Sequence, residues 1–397
     1  MDTAPVLSPI ESIILDLPPS CLQFCRRYHS YFVIGTYNLH PEKGEAIESA
    51  DVDSCREKKS QSRNGSLLVY HIGNENSPRL SLVQTVSQPS ALLDIRFNNE
   101  YQPNADILAA VSSTGTLAIF RLNGNDKSAP LQHLATSRCD DLDEDVLFLQ
   151  CKWHPYLPNV VAVTTSTGSA RLLYLDPQWK ISQYANVNIP NSLEAWSIAI
   201  SPVAHSESNA SEATVYCGGD DSILRYTSCS WATGDPFALP EEQYSPMQVK
   251  GQHGAGVTAI LPLDLNVVGG GRVVITGSYD DHIRVFIIHD LHKSYGARRV
   301  EQVLEENLEG GVWRLDLISL AKDDAGTCIA ILASLATSIT RATAIPFNVQ
   351  LPRKYHGFLG DHPNIYIRSF LSLVHAAKNL RIVAFSFTFA SSSMLLR

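Results

Sequence analysis

A histidine preceded by two aspartates is the strongest candidate for acid–base chemistry in this chain. Asp280, Asp281 and His282 lie within the segment ITGSYDDHIRVF, which runs from Ile275 to Phe286. Histidine is the side chain that acts as a general base near neutral pH, and an adjacent carboxylate can orient its ring. We therefore assign His282 as a candidate base and Asp281 as the carboxylate that orients it. The alternative is that His282 is an ordinary residue at the edge of a strand.

Tryptophans form a second candidate site. Trp313 and Arg314 follow two glycines, Trp196 lies between alanine and serine, and Trp153 precedes a His-Pro pair. We expect each tryptophan to begin the inner strand of a structural repeat, facing a central channel. Two roles fit that position. The rings plug the channel, or they form a stacking wall or cage for a quaternary ammonium group.

Repeated pairs of strands must position these residues. Five pairs of short apolar runs are each separated by a turn. They cover 32–36 with 67–70, 108–111 with 117–120, 160–163 with 171–174, 215–217 with 223–226, and the two halves of 275–286. Aligned on the turn, Thr114, Thr167, Asp220 and Asp280 are 53, 53 and 60 residues apart. A period near 55 residues, repeated about seven times, fills the chain. The pattern predicts an all-β fold, a seven-bladed WD-repeat β-propeller that forms a single domain over residues 1–397.

A hydrogen-bond network is expected within the fifth of these repeats. A histidine before one strand and an aspartate in a later turn are typical of a WD-repeat blade. His253 and Asp280 fit this pattern, and Ser278 is well placed to be the third member. A buried polar network of this kind stabilises a fold only when its members are satisfied. We therefore predict a structural role for these three residues.

Composition restricts the possible functions. The 397 residues are 44% hydrophobic and 18% charged, with a net charge of -9, which disfavours nucleic-acid binding and suits a cationic partner. The eight cysteines form no C-x-x-C motif and the thirteen histidines are scattered, so we expect buried free thiols, no metal and no cofactor. The chain shows neither a secretory signal nor a membrane-spanning apolar run, and a cytoplasmic location is expected.

Several segments interrupt the repeats. Segments predicted to be loops or insertions cover about 41–63, 123–145, 204–212 and 231–248. The second contains the acidic run 140–145, which is either a solvated loop or a docking surface for a basic partner. The only plausible helix runs from Arg298 to Leu308, and we expect it to connect two blades.

Five segments in order resemble one family, the WD-repeat diphthine methyl ester hydrolases of diphthamide biosynthesis. The segments are YFVIGTY at 31–37, CKWHP at 151–155, CGGDD at 217–221, TGSYDDHIR at 276–284 and GGVWR at 310–314. The last two are the most specific, and the resemblance covers roughly residues 17–317. Beyond about residue 331 the turn aspartates and a closing aromatic residue are missing, so we expect the region 331–397 to form a divergent last blade.

The resemblance implies a substrate. Family members remove the methyl ester of methylated diphthine, a modified histidine of translation elongation factor 2, before the final amidation to diphthamide. Elongation factor 2 is then the protein substrate, and other proteins of the pathway are candidate partners. Trp313 and Trp196 would hold the trimethylammonium end of the substrate, and Asp220 would supply the opposite charge.

For the catalytic roles we propose a scheme from the chemistry that ester hydrolysis requires. Water activated by His282, with Asp281 orienting the ring, would attack the ester, and Arg314 or a backbone N–H would stabilise the oxyanion. The alternative is a non-catalytic scaffold that presents loops to protein partners, since a propeller fold alone does not specify an enzyme.

Overall fold

The described part of the chain consists of strands and turns. The computed structural model describes residues 11–39, 63–73, 79–98, 103–202, 211–232, 238–266, 271–289, 299–323, 326–335 and 340–347. These residues contain 25 strands and no helix, so the predicted all-β class is confirmed.

The strands form six antiparallel sheets, which are the blades of the propeller. Blade 1 contains β1 (Pro19–Phe24), β2 (Tyr31–Thr36), β3 (Asn38–Leu39), β4 (Arg63–Ile72) and β5 (Leu80–Gln88). Blade 2 contains β6 (Leu92–Phe97), β7 (Ile107–Ser112), β8 (Thr116–Leu122) and β9 (Leu131–Arg138). Blade 3 contains β10 (Phe148–Trp153), β11 (Val160–Thr165), β12 (Ala170–Leu175) and β13 (Ile181–Val187).

Blades 4 to 6 continue the series. Blade 4 contains β14 (Ser197–Pro202), β15 (Ser211–Gly218), β16 (Leu224–Trp231), β17 (Glu241–Glu242) and β18 (Met247–Val249). Blade 5 contains β19 (Val257–Asn266), β20 (Arg272–Ser278), β21 (His282–Ile288) and β22 (Val300–Asn307). Blade 6 contains β23 (Val312–Asp323), β24 (Gly326–Leu335) and β25 (Thr340–Phe347). The predicted seventh blade falls on residues 348–397, outside the described residues.

The blades follow one another in chain order around the propeller. The first strands of successive blades, β1, β6, β10, β14, β19 and β23, pack against one another in that order. The hydrophobic cores lie between neighbouring blades: one joins blades 2 and 3 and the next joins blades 3 and 4. Middle strands are therefore covered on both faces, as in β11, where all six residues are buried. This arrangement is the WD-repeat β-propeller that the sequence predicts.

The predicted strand pairs are confirmed, with corrections at the outer strands. β2 pairs with β4, β7 with β8, β11 with β12, β15 with β16 and β20 with β21. The predicted helix from Arg298 to Leu308 is wrong, because Val300–Asn307 forms β22 and pairs with β21. Pairing at a blade edge overrides local helix propensity in this segment. The predicted loops 123–145 and 231–248 likewise contain outer strands, namely β9, β17 and β18.

Candidate functional site

One end of the ring brings together equivalent positions from several blades. In an antiparallel blade, the turn between the second and third strands lies at the same end as the start of the inner strand. We call this end the upper face. In each of blades 2 to 5, a residue one or two positions after the second strand donates its backbone N–H to the connection that precedes the inner strand. These bonds are Ser113 to Ala91 (2.9 Å), Ser166 to Leu147 (3.0 Å), Asp220 to Glu194 (3.0 Å) and Tyr279 to Gly256 (3.1 Å).

This equivalence corrects the alignment of the repeats in blade 4. Each turn contains one residue with a positive φ: Gly115 at 62°, Gly168 at 82°, Ser222 at 61° and Asp281 at 67°. This residue directly follows Thr114, Thr167 and Asp280, but in blade 4 it follows Asp221. Asp221, and not Asp220, is therefore the equivalent of Asp280. Asp220 instead matches Tyr279, one residue earlier. The side chains of Asp220 and Tyr279 are thus free of the turn, and both contribute to the same site.

Three half-buried rings form this site on the upper face. The ring centroids of Trp196 and Trp313 are 5.7 Å apart, and those of Tyr279 and Trp313 are 5.6 Å apart. We call these three rings the aromatic wall. The guanidinium carbon of Arg314 lies 5.6 Å from the centre of the Trp313 ring. Blades 4, 5 and 6 each contribute one ring. The structure thus brings together Trp196 and Trp313, as predicted, and adds Tyr279, which the sequence analysis missed.

Asp220 places a carboxyl group beside the aromatic wall. Burial raises the pKa of Asp220, and the neighbouring carboxylates Glu194 and Asp221 add to this rise, whereas the indole N–H of Trp196 opposes it. The same carboxylate contributes to a raised pKa at Tyr279, after the larger effect of burial. A β-carbon at Gly256 would lie 2.7 Å from Asp220 Oδ1, so glycine is needed there for the carboxylate to fit. Asp220 therefore places a carboxyl group at the wall, and burial makes its ionisation harder than in water.

Arg314 is held by blade 2, across the interior of the ring. Its Nη2 lies 3.3 Å from Asp94 Oδ1. Arg96 Nε lies 3.1 Å from Asp94, and Arg96 Nη1 lies 3.8 Å from Asp316. Asp94 is 1% exposed, and a carboxylate this buried needs opposite charge close by. The charge of Arg314 is thus partly balanced by Asp94. The structure does not bring Arg314 into contact with His282, and its predicted oxyanion role stays a prediction.

His282 begins β21, the third strand of blade 5. Its Nδ1 bonds to the backbone carbonyl oxygen of Asp280, 2.5 Å away, and its Nε2 lies 3.4 Å from Asn307 Nδ2. A carbonyl oxygen only accepts, so Nδ1 carries the proton and Nε2 is left as the basic nitrogen. Asp281 has a φ of 67°, and the chain reverses there. The ring thus contacts the carbonyl of Asp280, and its predicted orientation by Asp281 stays a prediction.

The predicted network of His253, Ser278 and Asp280 is present in part. His253 Nε2 lies 2.9 Å from Thr276 Oγ1, so threonine is the direct partner of the ring. Ser278 Oγ donates to the Ala255 carbonyl at 3.0 Å and accepts from the Asp280 backbone N–H at 3.2 Å. Asp280 Oδ2 accepts the Gly254 N–H at 2.7 Å, which ties the His253 connection to the turn. The contacts fit the predicted structural role, although His253 and Asp280 are linked through the backbone.

Buried arginines tie the third strand of three consecutive blades to carboxylates of the upper face. The ion pairs are Arg171 with Asp141 (2.7 Å), Arg225 with Asp221 (2.7 Å) and Arg284 with Asp280 (2.8 Å). In blades 4 and 5 the carboxylate is four residues before the arginine, in the turn itself. Burial opposes ionisation of Asp280, but the hydrogen bonds from Arg284 and two backbone N–H groups hold its pKa at about 2. The recurrence of Arg171, Arg225 and Arg284 at equivalent strand positions was the sequence signal for these pairs.

The remaining candidates lie away from the aromatic wall. The sequence predicted that Trp153 begins an inner strand, but it ends β10. Its indole N–H donates to the Arg96 carbonyl at 2.8 Å. Burial raises the pKa of Cys25 to about 11 and that of Cys21, Cys217 and Cys229 to about 12. These thiols are free and buried, as expected, and they are not nucleophiles at neutral pH.

The described residues contain neither a cluster of metal-ligating side chains nor a helix that could cross a membrane. No group of three or more histidine, cysteine, aspartate or glutamate side chains is placed to hold a metal ion there. No helix in that part of the chain has the length and apolar character needed to cross a membrane.

Two buried histidines make the fold sensitive to acid. Burial lowers the pKa of His154 to about 3, and burial together with Arg284 lowers that of His253 to about 4, from an ordinary value of 6.5. The folded state therefore binds fewer protons than the unfolded chain below pH 6.5, so stability is lost as the pH falls from there towards 4. We expect the free energy of unfolding in urea to decrease over this range. His253→Gln should reduce the slope and exposed His133→Gln should not. Equal slopes in all three proteins would contradict this account.

The fold and this site define a WD-repeat β-propeller with an aromatic and acidic site on its upper face. The chain is similar to two curated proteins named diphthine methyltransferase. It is 26% identical to the human protein over 302 residues, covering 74% of this chain and 59% of the human protein. It is 24% identical to the protein of the yeast Saccharomyces cerevisiae over 351 residues, covering 79% of each. These similarities confirm the resemblance to a diphthamide-pathway family, and the chain spans 59% of the length of the human relative.

No protein-family model matches the chain. Among solved structures, it is similar to Sqt1 of Chaetomium thermophilum bound to the N-terminus of ribosomal protein L10. The TM-score is 0.48 at 12% identity, with 82% of this chain and 84% of that chain covered. It is also similar to a chain of the mitotic checkpoint complex. There the TM-score is 0.43 at 11% identity, with 88% of both chains covered.

Proposed function

We propose that this protein hydrolyses the methyl ester of methylated diphthine on translation elongation factor 2, giving diphthine for the final amidation to diphthamide. The reaction takes place in the cytoplasm and needs no cofactor or metal. The observation that carries the proposal is the convergence of Trp196, Trp313 and Asp220 on the upper face. The substrate has a trimethylammonium group beside its ester, and aromatic faces with a nearby carboxylate attract such a cation. The two relatives named diphthine methyltransferase support the same substrate.

The reaction consumes water and releases methanol. In our scheme, His282 Nε2 takes a proton from water while the water oxygen attacks the ester carbonyl carbon. The tetrahedral oxyanion then collapses, the bond to the methoxy oxygen breaks, and the proton passes to the methoxide as it leaves. The hydrogen bond from Nδ1 to the Asp280 carbonyl oxygen keeps the ring in the tautomer that this step requires. Arg314 or a backbone N–H stabilises the oxyanion.

Tyr279 and His282 lie three residues apart, on either side of one turn. Tyr279 belongs to the aromatic wall, and His282 begins the strand that follows the turn. Asp280 is fixed between them by its bonds to Arg284 and Gly254. A rigid turn supports catalysis because it holds the binding group and the base at a constant separation. The turn of blade 5 therefore supplies a recognition group and a catalytic group together.

The charge of the upper face fits a protein substrate. Exposed carboxylates lie on the connections between blades, namely Asp140, Asp143, Glu144, Asp145 and Glu309. Arg171, Arg225 and Arg284 on the same face are buried in ion pairs. An acidic face of this kind attracts a basic protein segment and speeds its association, more so at low salt. Elongation factor 2 and other proteins of the pathway are the proposed partners.

Replacement of His282 tests the catalytic part of the proposal. We expect His282→Gln to lower the rate of ester hydrolysis at least about 100-fold, because the general base is lost. The melting temperature should change little, since the side chain is 29% exposed. The measurement is the loss of one methylene's mass from the modified histidine, followed by mass spectrometry.

His289→Gln is the matched control for this substitution. His289 follows the other end of β21 and lies 3.7 Å from Glu301, away from the turn of blade 5. We expect this variant to hydrolyse the ester at the wild-type rate. Unchanged hydrolysis by His282→Gln would reject His282 as the base. A folded wild-type protein that leaves the ester intact would favour the non-catalytic scaffold.

A further inference from the structure

We infer that Tyr279 determines the specificity of the upper face for quaternary ammonium ligands, as the third ring of the aromatic wall. This inference rests on the proposed function, because it names the group by which the same site recognises its substrate. It concerns binding alone, and a ligand without an ester can therefore test it. The expected ligands are trimethylammonium compounds such as choline.

The position of Tyr279 in the repeat supports this role. Blades 2 and 3 have Ser113 and Ser166 at the equivalent position, where only the backbone N–H makes the common contact. Blade 4 has Asp220 there, and blade 5 has Tyr279. Blade 1 has Tyr37 there, whose backbone N–H donates to the Pro18 carbonyl at 2.9 Å. Asp220 and Tyr279 are the residues of this set that lie beside the tryptophans. Serine satisfies the fold at this position, so the tyrosine side chain is not required by the turn.

The repeat also explains how the two tryptophans come into contact. Trp196 and Trp313 follow Ala195 and Val312 at the start of their inner strands, and Thr258 is the equivalent residue of the intervening blade 5. Thr258 is buried and donates its hydroxyl to the Gly277 carbonyl at 3.3 Å. The small side chain lets the two indoles meet above it, and Tyr279 packs on Trp313 from the turn.

The charges around the wall favour a cation that cannot donate hydrogen bonds. Asp220 contributes negative charge, and Arg314 is drawn towards blade 2 by Asp94. A quaternary ammonium group is weakly hydrated and gains from ring faces and from a nearby carboxylate without needing acceptors in fixed positions. Three half-buried rings and one carboxylate meet that requirement.

Titration with choline tests the inference. We expect the intact protein to bind choline, detected by line broadening of the choline methyl protons, and not the neutral isostere 3,3-dimethylbutan-1-ol. Tyr279→Ser copies the residue of blades 2 and 3 and should weaken choline binding roughly 5- to 10-fold. Tyr279→Phe keeps the ring face and should bind as the wild type does. Asp220→Asn should reduce the preference for choline over the isostere.

The outcomes separate the role of Tyr279 in cation binding from the proposed ester hydrolysis. Equal binding of choline by wild type and Tyr279→Ser, or equal binding of choline and the isostere by wild type, would overturn the inference. Circular dichroism of each variant shows whether it is folded. If Tyr279→Ser is unfolded, the comparison of choline with the isostere, in the wild type and in Tyr279→Phe, still tests the inference. Choline binding without ester hydrolysis would reject only the proposed reaction. Hydrolysis that is unaffected in Tyr279→Ser would reject only the role of Tyr279.

Discussion

Replacing Arg284 by methionine is expected to destabilise the protein by about 3–5 kcal/mol, because it leaves a half-buried carboxylate without its partner. Arg284 is 5% exposed, and its guanidinium lies 2.8 Å from Asp280 and 2.7 Å from Glu305. Asp280 holds the turn of blade 5 through Gly254 and the backbone N–H of His282. Loss of the arginine therefore leaves a charge in a poorly hydrated site and loosens the turn at the candidate active site.

Arg299→Met is the matched control for Arg284→Met. Arg299 pairs with Glu301 at 3.1 Å, but its side chain is 73% exposed. Exposed ion pairs stabilise by about 0–1 kcal/mol, so this variant should unfold close to the wild-type urea midpoint. Urea unfolding followed by circular dichroism measures both. Similar midpoints for the two variants would show that the buried pair contributes no more than a surface pair.

Replacing Trp313 by leucine is expected to lower kcat/KM for ester hydrolysis about 30-fold, which corresponds to the loss of a strong cation–π contact. Trp313 contacts both other rings of the aromatic wall, and Arg314 lies over it. Loss of the Trp313 ring removes a surface for the cation and the packing contact of Trp196 and Tyr279. Because the ring contacts the cation before and during the reaction, we expect the change mainly in KM.

Trp179→Leu provides a matched control for Trp313→Leu. Trp179 is also half-buried, but it packs against Trp153 with ring centroids 6.4 Å apart, in the turn between β12 and β13. That turn lies at the opposite end of the ring from the upper face. The control should keep the wild-type kcat/KM, measured by initial rates over a range of substrate concentration. An unchanged kcat/KM in Trp313→Leu would show that the aromatic wall does not bind the substrate.

The repeated strands were predictable, whereas the edges of the blades were not. Alternation of apolar residues identified the inner pairs, such as 160–163 with 171–174, because these strands are buried on both sides. Outer strands lack that pattern. β22 contains half-buried and exposed residues without a buried one, and it is rich in glutamate, which favours a helix in isolation. Its strand conformation comes from pairing with β21, a contact between segments that the local sequence does not show.

The site was predictable in its residue types and less so in its register. Trp196, Trp313 and Asp220 were chosen for their chemistry, and the structure brings them together. Asp220 and Asp221 are adjacent carboxylates, and only the positive φ at Ser222 shows which of them belongs to the turn. Tyr279 was missed because its equivalence to Asp220 depends on that register. Asp281 was assigned to His282 by adjacency, whereas the contact that the structure shows at Nδ1 of the ring is the backbone carbonyl of Asp280, which residue types alone do not reveal.

The most direct test of the central claim is whether the protein removes the methyl ester of methylated diphthine or adds a methyl group to diphthine. Purified protein would be incubated with elongation factor 2 bearing methylated diphthine and no methyl donor. In parallel it would be incubated with unesterified diphthine and S-adenosylmethionine, and mass spectrometry would follow the modified histidine in both. We predict release of methanol with loss of one methylene's mass in the first reaction and no change in the second. A gain of one methylene's mass in the second reaction, with the ester stable in the first, would contradict hydrolysis and show a methyltransferase.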